Sequence, residues 1–225
     1  IGGGYIGLEV AASLTKAGIH VDVIEMTERL LARVASPNIS AFFANLHEIN
    51  DVGIYTGVIN QEILQKDGLF SGIRINNDRT IHAELLLLGI GVLPDLGNAK
   101  DAGLTTGDGI IVDGMMQSSD ADIYAIGDVA LVDGAMSRIE SVDNAQNTAV
   151  RAAAAICGIS QPPKMAPWFW SEQFDARLQS AGIVPQETAA AQYIVRPGKR
   201  EGGLSVWSYD VHGKLAAIEA VRDPA

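Results

Sequence analysis

Gly2-Gly3-Gly4-Tyr5-Ile6-Gly7, at the start of the chain, is the stretch that decides the fold. It fits the pattern G-x-G-x-x-G, with its three glycines at positions 2, 4 and 7. Apolar residues then recur every four positions, at Ile6, Val10 and Leu14. This spacing predicts a helix that follows the glycines directly and ends near Gly18.

A glycine turn that opens a helix is typical of a dinucleotide-binding site. Gly2 permits the tight turn, Gly4 lets the backbone approach a pyrophosphate, and Gly7 lets the helix pack closely. Residues 19–25 predict a short strand that ends in Glu25, 23 positions after Gly2. An acid at this distance binds a ribose diol and repels a 2′-phosphate, so NADH is favoured over NADPH. The alternative is a glycine-rich turn before an ordinary helix.

The middle of the chain predicts one more helix and a small antiparallel meander. Ser36-Pro37 indicates an N-cap and first helical residue, and apolar spacing carries that helix to about Asn50. Turns at 66–68 and 76–78 separate short β segments. These segments are 53–56, 62–65, 70–75 and 80–89. Within the last of them, residues 85–90 predict a strand buried on both faces, as a parallel sheet requires.

Farther along, two strands lead to a second candidate site. Residues 110–113 and 122–128 predict strands, the second running into Gly127-Asp128. The Asp128 carboxylate is placed to accept a hydrogen bond from a ribityl or ribose hydroxyl, or else caps a turn. An alanine-rich helix is predicted over 143–157, and residues 141–144 before it are expected to present free backbone N–H groups. Two more strands are predicted, near 192–195 and 204–209.

Composition narrows the function classes. The 225 residues are 48% hydrophobic and 19% charged, which indicates a folded globular protein. A net charge of −11 argues against nucleic acid as a partner. No apolar run reaches the roughly 20 residues that span a bilayer. Cys157 is the only cysteine, predicted to be buried, and a cytoplasmic location is expected. The four histidines lack metal-ligand spacing, so no metal is expected.

Four stretches together carry a family resemblance. GGGYIGLE begins at Gly2, IYAIGDVA contains Tyr124, RIESVDNAQ begins at Arg138, and PWFWSEQFDARLQSAGI begins at Pro167. In order and spacing they resemble the FAD-dependent NADH:ferredoxin reductases of bacterial oxygenase systems. The resemblance implies an oxidoreductase, a flavoprotein that passes electrons from NADH through FAD to a ferredoxin- or rubredoxin-type iron–sulfur protein.

The resemblance also implies an α/β fold with two interleaved dinucleotide-binding, Rossmann-like domains, one of them incomplete, and a truncated C-terminal α/β interface domain. Residues 1–97 are expected to form the NAD-binding domain without its first strand. Residues 98–160 then form the C-terminal part of the FAD-binding domain, and 161–225 the truncated reductase domain, with a linker at 161–164. On this interpretation the chain is a fragment that lacks the N-terminal FAD-binding part and is inactive alone.

By the same resemblance, individual residues acquire expected roles. Glu9 is the catalytic candidate, near the nicotinamide and paired with a lysine outside this chain. The NADH-binding candidates are Gly2, Gly4, Tyr5, Ile6, Gly7, Glu25, Gly89, Ile90 and Gly91. The FAD-binding candidates are Gly127, Asp128, Ser141, Val142 and Trp170, the last being alternatively an aromatic anchor between domains.

Three further alternatives stay open at this stage. A basic cluster at Arg196, Lys199 and Arg200 is either a docking patch for the iron–sulfur partner or a solvated loop. The protein is alternatively another pyridine-nucleotide flavoenzyme, of disulfide reductase or NADH oxidase type. The most distant alternative is a non-catalytic NAD-binding module.

Overall fold

The computed structural model describes residues 1–76, 79–185 and 192–222. Its helices are α1 (Tyr5–Lys16), α2 (Pro37–Glu48), α3 (Gly97–Asp101) and α4 (Val142–Ile156), with a 3₁₀ turn at Gly127–Val129. The strands of the first half are β1 (Asp22–Ile24), β2 (Gly53–Tyr55), β3 (Gln61–Lys66), β4 (Leu69–Ile75), β5 (Arg79–His82), β6 (Ile110–Val112) and β7 (Ala130–Val132). The remaining strands are β8 (Trp168–Gln173), β9 (Ala176–Gly182), β10 (Gln192–Pro197), β11 (Leu204–Tyr209) and β12 (Leu215–Val221).

The chain divides into two compact units. Residues 1–91 and 170–225 form unit 1, and residues 92–169 form unit 2. In unit 1, β2 pairs in parallel with β1, so the expectation that residues 53–56 belong to the antiparallel meander is wrong. The other predicted segments form the meander as β3, β4 and β5. A five-stranded sheet follows in the order β10-β11-β12-β9-β8. In unit 2, β6 pairs in parallel with β7.

Local sequence explains how the two helices of unit 1 begin and end. Helix α1 starts directly after the glycine loop and stops before Gly18, whose φ of +81° suits glycine. Helix α2 begins as predicted: Pro37 is its first residue, and Ser36 Oγ accepts the N–H of Ile39 at 3.4 Å. Both oxygens of the buried Glu219, on β12, accept the N–H of Ser36 at 3.1 and 3.2 Å.

One hydrophobic core joins the two chain segments of unit 1. The fully buried Leu8 of α1 and Phe43 of α2 belong to the same cluster as Leu178 of β9 and Val206 of β11. Because both segments contribute to this cluster, the five-stranded sheet is part of the packing that holds the two helices. A separate, smaller cluster lies under the meander, around Val58 and Ile73.

Two predicted strands are wrong. Residues 85–90 form no strand, and Leu85 and Leu88 are exposed. Two hydrogen bonds join this segment to Ile1, whose amino group donates to Leu87 O and whose carbonyl accepts from Gly89 N, each at 2.7 Å. These two bonds are fewer than the run of consecutive pairs that makes a β-ladder. Residues 122–128 likewise contain a single bridge, between Tyr124 and Gln117, followed by the 3₁₀ turn.

Other expectations have mixed outcomes. The turn at Asp67-Gly68 is confirmed, with both residues at positive φ. Of the predicted turn at 76–78, Asn77 and Asp78 lie outside the described residues. Cys157 is exposed and not buried, because it is the C-cap of α4, where the helix ends. Among the residues that the structure describes, no helix has the length and apolar character needed to cross a membrane.

Candidate nucleotide-binding site

The glycine loop shows which of its members the fold itself requires. Gly2 has φ +106°, and a Cβ there would overlap the carbonyl oxygen of Gly89. A Cβ on Gly7 would overlap the carbonyl oxygen of Gly2, so the helix packs on the loop only with glycine at this position. A Cβ on Gly4, in contrast, meets nothing within 4 Å. The first and third glycines are therefore needed for packing, while the second faces open space where a ligand can approach.

Glu25 follows β1 and is bound to the same loop. Its Oε2 accepts the N–H of Gly3 at 2.7 Å. Its Oε1 accepts both the N–H of Thr27 at 2.8 Å and the Thr27 hydroxyl at 2.7 Å. Burial raises the pKa of Glu25, but the hydrogen bonds from Thr27 and Gly3 outweigh burial, so its pKa lies below the usual value. The side chain is thus an ionised brace of the loop, and Oε2 keeps a lone pair for a further donor.

The 89–91 segment lies against the glycine loop. The Cα of Gly7 is within 3.4 Å of the Cβ position of Gly89, and Gly91 has φ +101°. Ile90 is 64% exposed. Ile6, on the first turn of α1, is 68% exposed. The structure therefore brings the predicted glycines of both segments together and leaves two predicted apolar side chains uncovered.

Tyr5 and Glu9 lie on the first two turns of α1 and are both partly buried. The Tyr5 ring packs against the core of unit 1. Burial, together with the charges of Glu219 and Glu9, raises the pKa of Tyr5 far above its usual value, so its hydroxyl stays protonated. Glu9 Oε1 accepts a hydrogen bond from the Ser171 hydroxyl at 2.6 Å.

In unit 2, Gly127 and Asp128 lie beside the first turns of α4. Gly127 has φ +67°, its N–H donates to Thr148 Oγ1 at 2.9 Å, and its Cβ position lies 3.5 Å from Ala145. The Asp128 side chain is exposed, while its carbonyl oxygen accepts from Arg138 at 2.6 Å. The turn is therefore attached to the helix by a hydrogen bond and by close packing.

The N-terminus of α4 corrects one prediction. Ser141 is its N-cap, and Ser141 Oγ accepts the N–H of Asn144 at 3.1 Å, so the expectation of a free N–H at residue 144 is wrong. Val142 is 56% exposed, and Asp143 Oδ2 accepts the N–H of Trp168 at 3.2 Å. Capping by serine satisfies one donor and leaves the exposed Val142 at the helix start.

The remaining candidates lie in the five-stranded sheet and near it. Trp170 is partly buried in β8. Of the predicted basic cluster, Arg196 stacks on the Trp207 ring at 4.9 Å, so it is held by the sheet surface. Within the described ranges, no group of three or more His, Cys, Asp or Glu side chains is placed to hold a metal ion.

Comparison with known proteins identifies the family. The model of the pyridine nucleotide-disulphide oxidoreductases matches residues 1–149, about two thirds of the chain. The chain belongs to this family. A second model, the reductase C-terminal domain, matches residues 168–225 of the chain.

Several named relatives are similar in sequence to this chain along its whole length. A probable ferredoxin reductase of Castellaniella defragrans is 40% identical over 229 residues, which are 100% of this chain and 55% of the relative. Putidaredoxin reductase of Pseudomonas putida is 36% identical over 100% of this chain. The crystal structure of a ferredoxin reductase from Rhodopseudomonas palustris superposes with a TM-score of 0.89 at 38% identity, covering 99% of this chain and 55% of that one. The chain thus spans about half the length of these relatives.

Sequence reasoning missed several residues of the site. Thr27 holds the Glu25 carboxylate through its backbone N–H and its hydroxyl, a contact that depends on how the chain turns after β1. Ser171, Gln173 and His47 continue the polar contacts of Glu9 through the protein interior. They are distant from Glu9 in sequence, and no local pattern connects them, so only the folded chain reveals this connection.

Proposed function

We propose that this oxidoreductase is the part of a flavoprotein that passes electrons from NADH through FAD to a small iron–sulfur protein of ferredoxin or rubredoxin type. The observation that carries the proposal is the similarity of the whole chain, at 36–40% identity, to proteins named ferredoxin, putidaredoxin and rhodocoxin reductases. It includes the C-terminal region at 168–225, outside the family model of the first 149 residues.

In this proposal NADH binds along the glycine loop. Its pyrophosphate lies over Gly4, where the backbone is open, and the N-terminus of α1 contributes its electropositive end. Glu25, ionised and fixed by Gly3 and Thr27, accepts from the adenosine ribose diol. Ile6 and Ile90 supply exposed apolar contacts, and Tyr5 supports them from the core side. Glu9 is placed at the nicotinamide end.

The proposed FAD contacts are Asp128 for the ribityl hydroxyls, the α4 N-terminus at Ser141 and Val142 beside the ring, and Trp170. The open Asp128 carboxylate and the exposed Val142 at a helix start fit such a ligand. Bound FAD accepts a hydride and releases single electrons. The task of the chain is then to hold the nicotinamide in place, to exclude water, and to keep Gly127 fixed against α4.

The proposed division of labour assigns NAD binding to residues 1–97 and FAD contacts to 98–160. Residues 161–225 then belong to the reductase C-terminal domain, with the linker at 161–164. The family models match 1–149 and 168–225, which supports the separation of the C-terminal domain from the rest, while the boundary at 97/98 stays a proposal. Proposed partners are NADH and the iron–sulfur protein, and the proposed location is the cytoplasm, where NADH is available as a reductant.

Nucleotide preference tests the NADH half of the proposal. Isothermal titration calorimetry of the purified chain is expected to give a dissociation constant for NADH at least tenfold below that for NADPH. Glu25→Gln is expected to weaken NADH binding about tenfold, because a charged acceptor is lost. It is also expected to reduce the ratio of NADPH to NADH dissociation constants. Glu28→Gln, in the same loop, is the control and is expected to bind like the wild type. Equal affinity for both nucleotides in the wild type would contradict the Glu25 assignment.

Electron transfer tests the other half. Because the chain alone is expected to be inactive, the protein used is the whole flavoprotein that contains it. Its visible spectrum is recorded with added FAD, and NADH is titrated without oxygen. The flavin-loaded protein is then mixed with NADH, a ferredoxin and cytochrome c as the final acceptor. The expected result is flavin bleaching by NADH and cytochrome reduction that depends on the ferredoxin. A flavin-loaded protein that is bleached by NADH but reduces disulfides, or oxygen alone, would place it with the other flavoenzymes.

A further inference from the structure

A line of four polar side chains runs from α1 into the interior of unit 1. The Ser171 hydroxyl donates to Glu9 Oε1 at 2.6 Å, and Gln173 Nε2 donates to Ser171 Oγ at 3.1 Å. Gln173 Oε1 lies 2.9 Å from His47 Nε2. Ser171, Gln173 and His47 are all fully buried, whereas Glu9 is only partly buried. Three interior groups therefore support one carboxylate that reaches the surface.

The line has one direction. Because Gln173 Nε2 donates to Ser171, its Oε1 is an acceptor, so His47 Nε2 must carry the proton. The Ser171 oxygen accepts from Gln173, and its single proton is free to be donated to Glu9. Every donor in the line thus points towards the carboxylate, which is the arrangement that strengthens the last hydrogen bond.

His47 fixes the inner end of the line. Its ring meets Phe174 edge to face, with centroids 5.0 Å apart. Burial lowers the pKa of His47, and the hydrogen bond with Gln173 offsets this only partly, so the ring is neutral at neutral pH. Nδ1 has no hydrogen-bond partner, which is consistent with the tautomer that carries its proton on Nε2. The ring is therefore held both by packing and by its single hydrogen bond.

We propose that Ser171 is a positioning residue for Glu9, with Gln173 and His47 holding the Ser171 hydroxyl in turn. This inference rests on the proposed function, in which Glu9 stands at the nicotinamide end of the NADH site. A glutamate at a helix surface samples several rotamers, and a short bond to a buried, fixed hydroxyl selects one of them. The first strand of the C-terminal sheet, β8, thereby sets the geometry of a carboxylate on the helix that follows the glycine loop.

A purely structural role makes a different prediction. If the line serves only to satisfy buried polar groups, loss of the Ser171 hydroxyl lowers stability without acting through Glu9. A matched control is available in Ser208 on β11, which is also fully buried in the same sheet and whose hydroxyl has no hydrogen-bond partner. Ser208→Ala therefore removes a comparable group with no connection to Glu9.

The test combines calorimetry with NMR on the purified chain. NADH affinity is measured for Ser171→Ala, Glu9→Gln, the double variant and Ser208→Ala. Ser171→Ala is expected to weaken binding about fivefold, in the range of one hydrogen bond. It is expected to have no further effect in the Glu9→Gln background, as coupled residues do. Ser208→Ala is expected to bind like the wild type. Equal losses for the two serine variants, or additive losses in the double variant, would overturn the proposal.

The NMR measurement needs no nucleotide. The carboxyl carbon of Glu9, labelled with ¹³C, is expected to shift at constant pH in Ser171→Ala and to stay in place in Ser208→Ala. Should Ser171→Ala fail to fold, the Ser171 hydroxyl proton is followed instead in the wild type and in Glu9→Gln, where its resonance is expected to move. An unmoved resonance overturns the positioning role. If the Glu9 carboxyl carbon shifts in Ser171→Ala but the wild-type chain does not bind NADH, the result would instead count against the proposed function.

Discussion

The three glycines of the loop meet different constraints, although their residue type is the same. Gly2 and Gly7 are required because a side chain would strike backbone, while Gly4 faces open space. A contact with backbone cannot be relieved by a change of rotamer, so substitution at Gly7 must move the helix. At Gly4 the only partner that a side chain can disturb is a ligand.

Gly4→Ala and Gly7→Ala are therefore expected to separate binding from stability. Gly7→Ala is expected to cost about 1–3 kcal/mol of unfolding free energy, as overpacking does. Gly4→Ala is expected to cost under about 1 kcal/mol, since alanine is only a weaker N-cap there, and to reduce NADH affinity tenfold or more. Urea unfolding and calorimetry check both. Gly114→Ala, at another open glycine, is the control for the added methyl group.

At the scale of single residues, the sequence predicted the features that depend on neighbouring positions in the chain. The G-x-G-x-x-G spacing correctly predicted the helix after the glycines and the strand before Glu25. Nucleotide binding by the loop and by Glu25 stays a prediction. The sequence did not predict that the Glu25 oxygens are already used by Gly3 and Thr27, because that depends on how the strand end folds back. It also could not predict the partner of Glu9, since Ser171 lies 162 positions away.

At the start of helix α2, one residue both caps the helix and bonds to a strand. Ser36 Oγ accepts from Ile39 within the helix, and the Ser36 N–H donates to Glu219 of β12. Burial raises the pKa of Glu219, and its hydrogen bonds with Ser36 only partly oppose this. The cap thus connects the helix to the C-terminal sheet within unit 1.

Ser36→Ala is expected to lower the free energy of unfolding by about 1 kcal/mol, because the Ile39 N–H loses its capping oxygen. Urea unfolding monitored by circular dichroism measures this loss. Ser13→Ala is the matched control: Ser13 is exposed in the interior of α1, and its hydroxyl bonds only to the carbonyl of Glu9. Alanine is the better helix former there, so no loss is expected. A comparable loss at both serines would contradict the capping role.

Elements defined by local signals were predicted, and elements defined by their neighbours were not. The three long helices, α1, α2 and α4, and the meander with its Asp67-Gly68 turn follow from residues close in sequence. The apolar residues 85–90 have strand character, yet form no strand. A strand needs a neighbour that pairs with it over several residues, and the composition of the segment does not identify that neighbour.

For the whole molecule, the unit that folds together is not continuous in sequence. Residues 1–91 and 170–225 share one unit, and Leu178 lies in the same buried cluster as Leu8 and Phe43. Sequence reasoning placed two of the five strands of the C-terminal sheet, β10 and β11, and missed β8, β9 and β12. It had no means to assign this sheet to the core of the first 91 residues. Contacts at this separation follow from the fold as a whole.

Leu178→Ala is expected to destabilise the protein by about 2–5 kcal/mol through cavity formation. Hydrogen exchange is expected to speed up in α1 and α2 as well as in β9, because these elements share the core. Leu69→Ala, at a leucine that is 73% exposed, is the control and should leave both measurements unchanged. Faster exchange in β9 alone would show that the helices do not depend on this sheet.

The pH dependence of stability follows from the buried histidine at the inner end of the polar line. Because burial lowers the pKa of His47 in the folded protein, the unfolded chain binds a proton first as the pH falls below the ordinary value of about 6.5. More protons on the unfolded chain mean that stability declines with falling pH, by at most about 1.4 kcal/mol per pH unit. The contribution is present above pH 6.5 and is lost on the acid side.

His47→Gln keeps a donor for Gln173 and cannot titrate, so the difference between wild type and this variant isolates the histidine. Urea unfolding between pH 7.5 and pH 5 is expected to show the wild type losing stability relative to His47→Gln as the pH falls. His212→Gln, at an exposed histidine outside the core, is the control and should follow the wild-type curve. Parallel curves for wild type and His47→Gln would mean that the ring accepts a proton in the folded state as easily as in water. A protonated ring still donates from Nε2 to Gln173, so this outcome would leave the hydrogen-bond line intact and would require an acceptor for the new proton at Nδ1, which has no hydrogen-bond partner in the described part of the chain.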